Sequence, residues 1–295
     1  KMINAASNFG ADIIKFQTFE PELLATSRAN KAFYQKKFDK KNKSQISMLR
    51  KLYLSRSQFK ILKRYCKSRS IKFLSTAFDK SSLKFLVKLG IKYIKIPSGE
   101  ITNLPYLKYA GKFGMPILLS TGMSNIKEIE NAIKILVKSG TKKSLITVLH
   151  CTSSYPASVS DINLKAITTI KDKLDVKVGY SDHTLDLDVP LLAVALGAEV
   201  IEKHFTLSRK MLGPDHEASL EPKEFLKMIK KIRRAEIAIG NGLKKPSKSE
   251  LKNLKLARRS IVACRNINLG EKFSNKNLTT KRPANGISPM QWNKI

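Results

Sequence analysis

Four histidines occur in the 295 residues, and three of them, His150, His183 and His204, each close a short apolar run, while His216 lies in the loop after the last. A neutral imidazole is a good ligand for a divalent metal. His183 in YSDHT and His204 in IEKHF sit on successive runs, so they can meet at one ion and leave positions open for substrate and water. Two histidines alone are a weak metal motif, and a single histidine at a strand end is also explained by a structural hydrogen bond. Strand alternation puts Glu202 on the same side as His204, with Lys203 opposite. Lys15 and Lys95 form a second informative pair, since an ammonium inside a sheet needs an anion beside it. With Thr76, Ser98 and Ser120 they describe a pocket for a phosphate or a carboxylate. A structural ion pair with Glu100, Asp182 or Glu202 is the competing account.

These residues need elements to position them. Seven β-type runs precede residue 206: ADIIKFQ from Ala11, IKFLSTA from Ile71, YIKIPS from Tyr93, PILLST from Pro116, LITVLHCT from Leu145, VKVGYSD from Val176 and AEVIEKHF from Ala198. Helical segments separate them, among them SNIKEIENAIKILVKSG, read with Ser124 as its cap, and EPKEFLKMIKKIRRAEIAIG from Glu221. Strands alternating with helices predict a parallel sheet joined by crossovers. No GxGxxG follows any run, which removes the signature of a dinucleotide-binding sheet and leaves a (β/α)8 TIM-type barrel as the expected fold. INAASNFG reads as the tail of a helix whose own strand is absent, so the first barrel strand is expected to be missing from this chain. In such a barrel the active site lies at the C-terminal ends of the strands. Every run here ends in polar or titratable groups: Lys15 and Gln17, Ser75 and Thr76, Lys95 with Ser98 and Glu100, Ser120 and Thr121, His150 to Tyr155, Ser181 to His183, and Glu202 with His204.

The chain changes character after Gly240. The expected organisation is a barrel over 1–240, a polar linker over 241–256 and a small domain of short strands over 257–295. Fifty-six Lys plus Arg against 23 Asp plus Glu give a net charge of +33. A nucleic-acid-binding surface is one reading of that excess. Most of it is lysine spread along predicted helix faces, with no arginine-rich arm or interleaved aromatic stripe, which favours solvated faces that steer an anionic substrate. Three widely spaced cysteines, Cys66, Cys151 and Cys264, suit a reducing compartment. No apolar run reaches the roughly 20 residues of a membrane span and no signal peptide is evident, so a cytoplasmic protein that binds neither nucleic acid nor membrane is expected.

The motifs GADIIKFQTF, FLSTAFD, YIKIPSGEITNLP, ILLSTGM, LHCTSSYP, VGYSDHT, VIEKHFTL and GPDHEASLEP, in that order, closely resemble the bacterial N-acetylneuraminate (sialic acid) synthases and their legionaminic and pseudaminic acid relatives. RRSIVA, LGEKF and KRPANGISPM resemble the start of their antifreeze-like SAF domain, a β-clip, here partial. The resemblance implies condensation of phosphoenolpyruvate with the open-chain aldehyde of an N-acetylated amino sugar of the N-acetylmannosamine type, giving a nine-carbon 2-keto acid and phosphate. A diacetamido-trideoxy sugar leading to legionaminate is the alternative, and ITNLP and GISPM lean toward the neuraminate and legionaminate branches. It further implies a Mn²⁺ or Mg²⁺ ion on His183 and His204, with Glu100 and Lys95 completing the catalytic set. Phosphoenolpyruvate is then held by Lys15, Thr76, Lys95, Ser98, Ser120 and Ser181, and the amino sugar meets Gln17, Glu100, Tyr155 and Asp215. Ser153 stands where some relatives carry an asparagine that contacts phosphoenolpyruvate. Arg282 matches an arginine that reaches the sugar's N-acetyl group in a partner subunit, which implies a domain-swapped homodimer. The family's first strand carries an active-site glutamate and an NHNG segment, neither of which has a counterpart here.

Overall fold

The computed structural model of the chain describes residues 1–31 and 44–295. Seven strands form one parallel sheet in strict sequence order: β1 Ile13–Thr18, β2 Lys72–Ala77, β3 Ile94–Ile96, β4 Ile117–Ser120, β5 Ile146–Cys151, β6 Lys177–Asp182 and β7 Ile201–Lys203. Except that β1 runs one residue further to Thr18, each lies within one of the seven runs read from the sequence, because parallel strands covered by helices are continuous apolar runs. Between and around them come α1 Met2–Asn8, α2 Pro21–Leu24, α3 Gln45–Leu52, α4 Arg56–Ser68, α5 Lys80–Leu89, α6 Leu104–Gly111, α7 Ile126–Lys138, α8 Lys165–Leu174, α9 Val189–Ala195 and α10 Pro222–Ile239. The sheet curls far enough that Lys15 on β1 and Glu202 on β7 form an ion pair at 3.7 Å. This is the (β/α) barrel architecture expected from the sequence, seen as a curled seven-stranded sheet.

Alternation sorts the strand residues onto two faces. The outer face packs Ile94, Ile96, Ile117, Leu119, Ile146 and Val148 against Leu83, Leu86, Leu107, Ile129, Ile133, Leu136 and Ile167 of the surrounding helices. The inner face is layered. Leu74, Leu118 and Leu149, joined by Ile13, Tyr93 and Val200, form an apolar plug toward the N-terminal ends of the strands. Gly179 belongs to this layer, since a Cβ there would lie 2.5 Å from Leu149 Cδ2 and 2.7 Å from the Val200 carbonyl. Only a residue without a side chain lets β6 approach so closely. Above the plug the same face carries Lys15, Thr76, Lys95, Ser120, Cys151, Ser181 and Glu202, so the polar layer starts where the strands end.

Two local readings are corrected. The N-cap of α7 is Asn125, which accepts from the Lys127 and Glu128 amides at 3.0 Å each, while the Glu128 carboxylate accepts from the Asn125 amide at 2.9 Å. Ser124 only reaches the Gly122 carbonyl at 3.4 Å. The capping box uses a residue with Glu three places on, and Asn125 has it where Ser124 does not. The stretch read as a linker contains a helix, α11 Lys248–Ala257, started by a second capping box between Ser247 and Glu250. No residue of α11 is buried, and Leu251, Leu254 and Ala257 make only a narrow apolar row in a polar stretch that follows Gly and Pro.

The chain divides into two compact units, Lys1–Ile239 and Gly240–Ile295. In the second, β8 Ser260–Ala263 pairs antiparallel with β9 Leu278–Lys281. Buried Ser260 donates to the Pro283 carbonyl at 2.8 Å and accepts from the Gly286 amide at 2.9 Å, fixing the turn that follows β9.

Candidate active site

The polar layer has a single carboxylate at its centre. Glu202 pairs with Lys15 at 3.7 Å and Lys95 at 3.6 Å, and accepts from Ser181 at 3.0 Å. Burial pushes this carboxyl up, yet the two ammonium groups, the Ser181 hydroxyl and His204 outweigh it and hold the pKa down at about 2. Lys15 also donates to Thr76 Oγ1 at 3.1 Å, and Lys95, 3% exposed, donates to Ser120 Oγ. Burial, with Lys15 nearby, lowers the Lys95 pKa, and Glu202 opposes that shift. The sequence left open whether the lysines serve an anion or a structural ion pair. The structure shows one carboxylate shared by two cations, because Asp182 pairs instead with Lys203 and Glu100 with Asn103. Among the described residues Glu202 pairs with both ammonium groups, and Asp215 lies close enough to Lys15 to feel its charge.

Next to this cluster lie the two histidines. The register sets Ser181 opposite Glu202 and Asp182 opposite Lys203, so His183 and His204 follow as neighbours. Their ring centroids are 5.5 Å apart. Tyr155 covers both, at 4.3 Å from the His183 ring and 5.8 Å from that of His204. His183 Nδ1 sits 2.6 Å from the Thr152 carbonyl, to which it donates, so Nε2 keeps its lone pair. Burial drives both rings toward the neutral form, and for His204, where His183 and Lys15 add to it, the pKa falls to about 3. An imidazole nitrogen binds a divalent ion at about 2 Å, so two neutral rings this close fit one ion. Among the described residues no group of three or more His, Cys, Asp or Glu is placed to hold a metal. The donor set therefore fits an ion with most of its coordination positions open to water or substrate.

His150 does not join them. It lies on the outer face, where its Nε2 meets the Ile162 carbonyl at 2.6 Å and its ring packs on Tyr180. His216 is likewise tied to the Thr206 hydroxyl at 2.7 Å. Ser98 closes a third corner: its Oγ accepts from the Gly122 amide at 2.9 Å and lies 3.3 Å from Cys151 Sγ. A Cβ on Gly122 would meet Ser153 Oγ at 2.1 Å and Ser98 Oγ at 2.9 Å, so both serines crowd onto this backbone.

A family model described as the NeuB family matches residues 2–244, and one for the SAF domain matches residues 258–295. This chain belongs to the NeuB family. Two curated relatives are named N,N'-diacetyllegionaminic acid synthase. The one from Campylobacter jejuni is 51% identical over 99% of this chain and 87% of its own length, and that from Legionella pneumophila is 45% identical over 100% and 83%. A crystal structure of an N-acetylneuraminic acid synthetase from Leptospira borgpetersenii superposes with a TM-score of 0.74 at 36% identity, covering 85% of this chain and 82% of that one.

In this NeuB-family chain the remaining expected site residues, Gln17, Glu100, Asp215 and Arg282, make no hydrogen bond to the Lys15–Lys95–Glu202 cluster among the described residues. Gln17 is exposed at the end of β1, in register with Thr76. Glu100 follows β3 and bonds Asn103, and burial together with Asp79 raises its pKa. The Asp215 carboxyl is raised by burial, with Lys15 and His216 pulling it back down. Arg282 is exposed in the second unit, on the turn after β9. Glu202 was named from the sequence as one of three candidate partners for the lysines, and the structure selects it. Two participants were not singled out there. Cys151 and the Thr152 carbonyl offered no signal beyond ending a strand.

Proposed function

We propose that this chain condenses phosphoenolpyruvate with an N-acetylated amino sugar to form a nonulosonic acid and inorganic phosphate. The observation that carries the reading is the pair of lysines sharing Glu202, since two ammonium groups paired to one carboxylate at the strand ends would draw in an anionic substrate. Lys15 and Lys95, helped by Thr76, Ser98, Ser120, Ser153 and Ser181, would bind its phosphate and carboxylate by charge-assisted hydrogen bonds. The sugar would lie against Gln17, Glu100, Tyr155 and Asp215, with its aldehyde near the histidines. C3 of the enol ether attacks the aldehyde carbon, water adds at C2, and the tetrahedral intermediate expels phosphate by C–O cleavage. His183 and His204 would hold Mn²⁺ or Mg²⁺, which supplies Lewis-acid stabilisation of charge on the aldehyde oxygen. The raised carboxyls of Glu100 and Asp215 suit proton exchange with sugar hydroxyls.

The names of the two legionaminic acid synthases favour a 2,4-diacetamido-2,4,6-trideoxy sugar over N-acetylmannosamine. Arg282 would serve the barrel of a second copy in a swapped homodimer, and the cytoplasm, where phosphoenolpyruvate is made, would be the compartment. The test is phosphate release from phosphoenolpyruvate with each sugar in competition, with and without Mn²⁺, and identification of the product by mass. Release that needs both metal and amino sugar is expected. His183→Ala should abolish release while the Tm stays within a few degrees. Absence of release with every sugar from a folded, metal-loaded protein would overturn the proposal.

A further inference from the structure

On the outer face of the sheet, directly behind the two histidines, Asp182 and Lys203 form an ion pair whose side chains are 0% and 1% exposed. The reaction outlined above gives neither residue a task. The Lys203 ammonium donates to Asp182 Oδ2 and also to the Thr184 carbonyl, so it grips the residues on both sides of His183. The Asp182 carboxylate in turn accepts from the Thr184 amide at 2.9 Å, the Thr184 hydroxyl at 3.2 Å and the Tyr180 hydroxyl at 3.4 Å. Lys203 immediately precedes His204. One ammonium therefore ties the backbone that carries one histidine to the turn that carries the other.

This arrangement is costly for a merely structural purpose. A buried ion pair is often no more stabilising than apolar side chains of similar volume, and β6 and β7 are already joined by their ladder. A ladder fixes register, but His183 lies one residue past the end of β6 and His204 one past β7, where their carbonyls accept from the Ala157 and Leu220 amides, bonds to other segments that do not join the two histidines to each other. We propose that Lys203 and Asp182 are positioning residues, a clamp that sets the separation of His183 and His204 and so the affinity of the metal site. The inference rests on the two-histidine reading of that site.

The test uses the full chain with Mn²⁺ alone, its binding followed by loss of the free-ion electron paramagnetic resonance signal. Lys203→Met and Asp182→Asn should each weaken Mn²⁺ binding by about tenfold or more, the scale seen when a residue that orients a ligand is lost. Each single change also leaves a buried charge unpaired and is expected to lower the Tm. The double variant Lys203→Met/Asp182→Asn removes both charges, so its Tm should recover toward wild type while Mn²⁺ binding stays at least tenfold weak. Phosphoenolpyruvate binding without metal should change less than twofold in the double variant. Recovery of Mn²⁺ affinity together with Tm would show a purely structural pair and overturn the proposal. Should the single variants fail to fold, the double variant decides alone. Wild-type protein that binds no Mn²⁺ would instead sink the metal reading itself, and the clamp with it.

Discussion

Lys95 is the side chain on which the proposed anion site depends most. It is buried, its pKa is lowered by that burial, and Glu202 and Ser120 hold it in place. Lys95→Met leaves Glu202 with Lys15 as its partner, so the change removes a cation without orphaning a buried carboxylate. A hydrogen bond to a charged group contributes about 1.5–3 kcal/mol, so the KM for phosphoenolpyruvate should rise roughly ten- to hundredfold while the Tm moves little. Steady-state kinetics checks this. An unchanged KM would remove Lys95 from the substrate site. The lysines, the serines and the histidine pair were legible from strand ends alone, because a barrel puts strand-end residues in one place. Glu202 was only half legible. Alternation gave its side of the strand and charge balance made it one of three candidate partners for the lysines, but the choice among the three is set by the curl of the sheet, which no local pattern encodes.

At the scale of elements, legibility followed burial. All seven strands could be read because each has a continuous or near-continuous apolar run, whereas α11 has no buried residue. The N-cap of α7 slipped by one residue, since Ser124 and Asn125 are both good caps and only the glutamate three places on separates them. The face where α4 meets α1 and β1 carries a testable consequence. Cys66 on α4 packs fully buried with Ile3, Ala6, Ile14 and Ile71. Burial raises its thiol pKa to about 11. A folded pKa above the unfolded value means the folded state holds its proton more tightly, so this contribution is complete below about pH 9 and is lost as pH rises to about 11. Up to roughly 3 kcal/mol of stability should disappear across that window. Denaturant unfolding at a series of pH values measures the loss, and Cys66→Ala should flatten the part that comes from the thiol. A thiol reagent should label exposed Cys264 at once and Cys66 only on unfolding.

At the scale of the whole molecule, the net charge of +33 acts on stability and on catalysis in opposite directions. Like charges spread over the surface repel one another in the compact state, so screening should stabilise the fold. The same field would attract the proposed anionic substrate to the strand ends, so screening should slow its capture. Raising salt from about 0.01 to about 0.15 M shortens the Debye length from about 30 to about 8 Å, enough to separate most surface lysines electrically from the site. Over that range the Tm should rise by several degrees while kcat/KM for phosphoenolpyruvate falls severalfold at constant kcat. The contacts inside the site are partly buried and screened much less, which is why kcat is expected to hold. A nucleic-acid-binding surface would behave differently: a duplex oligonucleotide would be retained at low salt and released along a straight line in log salt with a slope set by the phosphates contacted. Scattered lysines without interleaved aromatics or an arginine arm predict no such retention at about 0.15 M. A kcat/KM that does not respond to salt would show that the charge plays no part in delivering the substrate, and would confine the electrostatics of this chain to Lys15, Lys95 and Glu202.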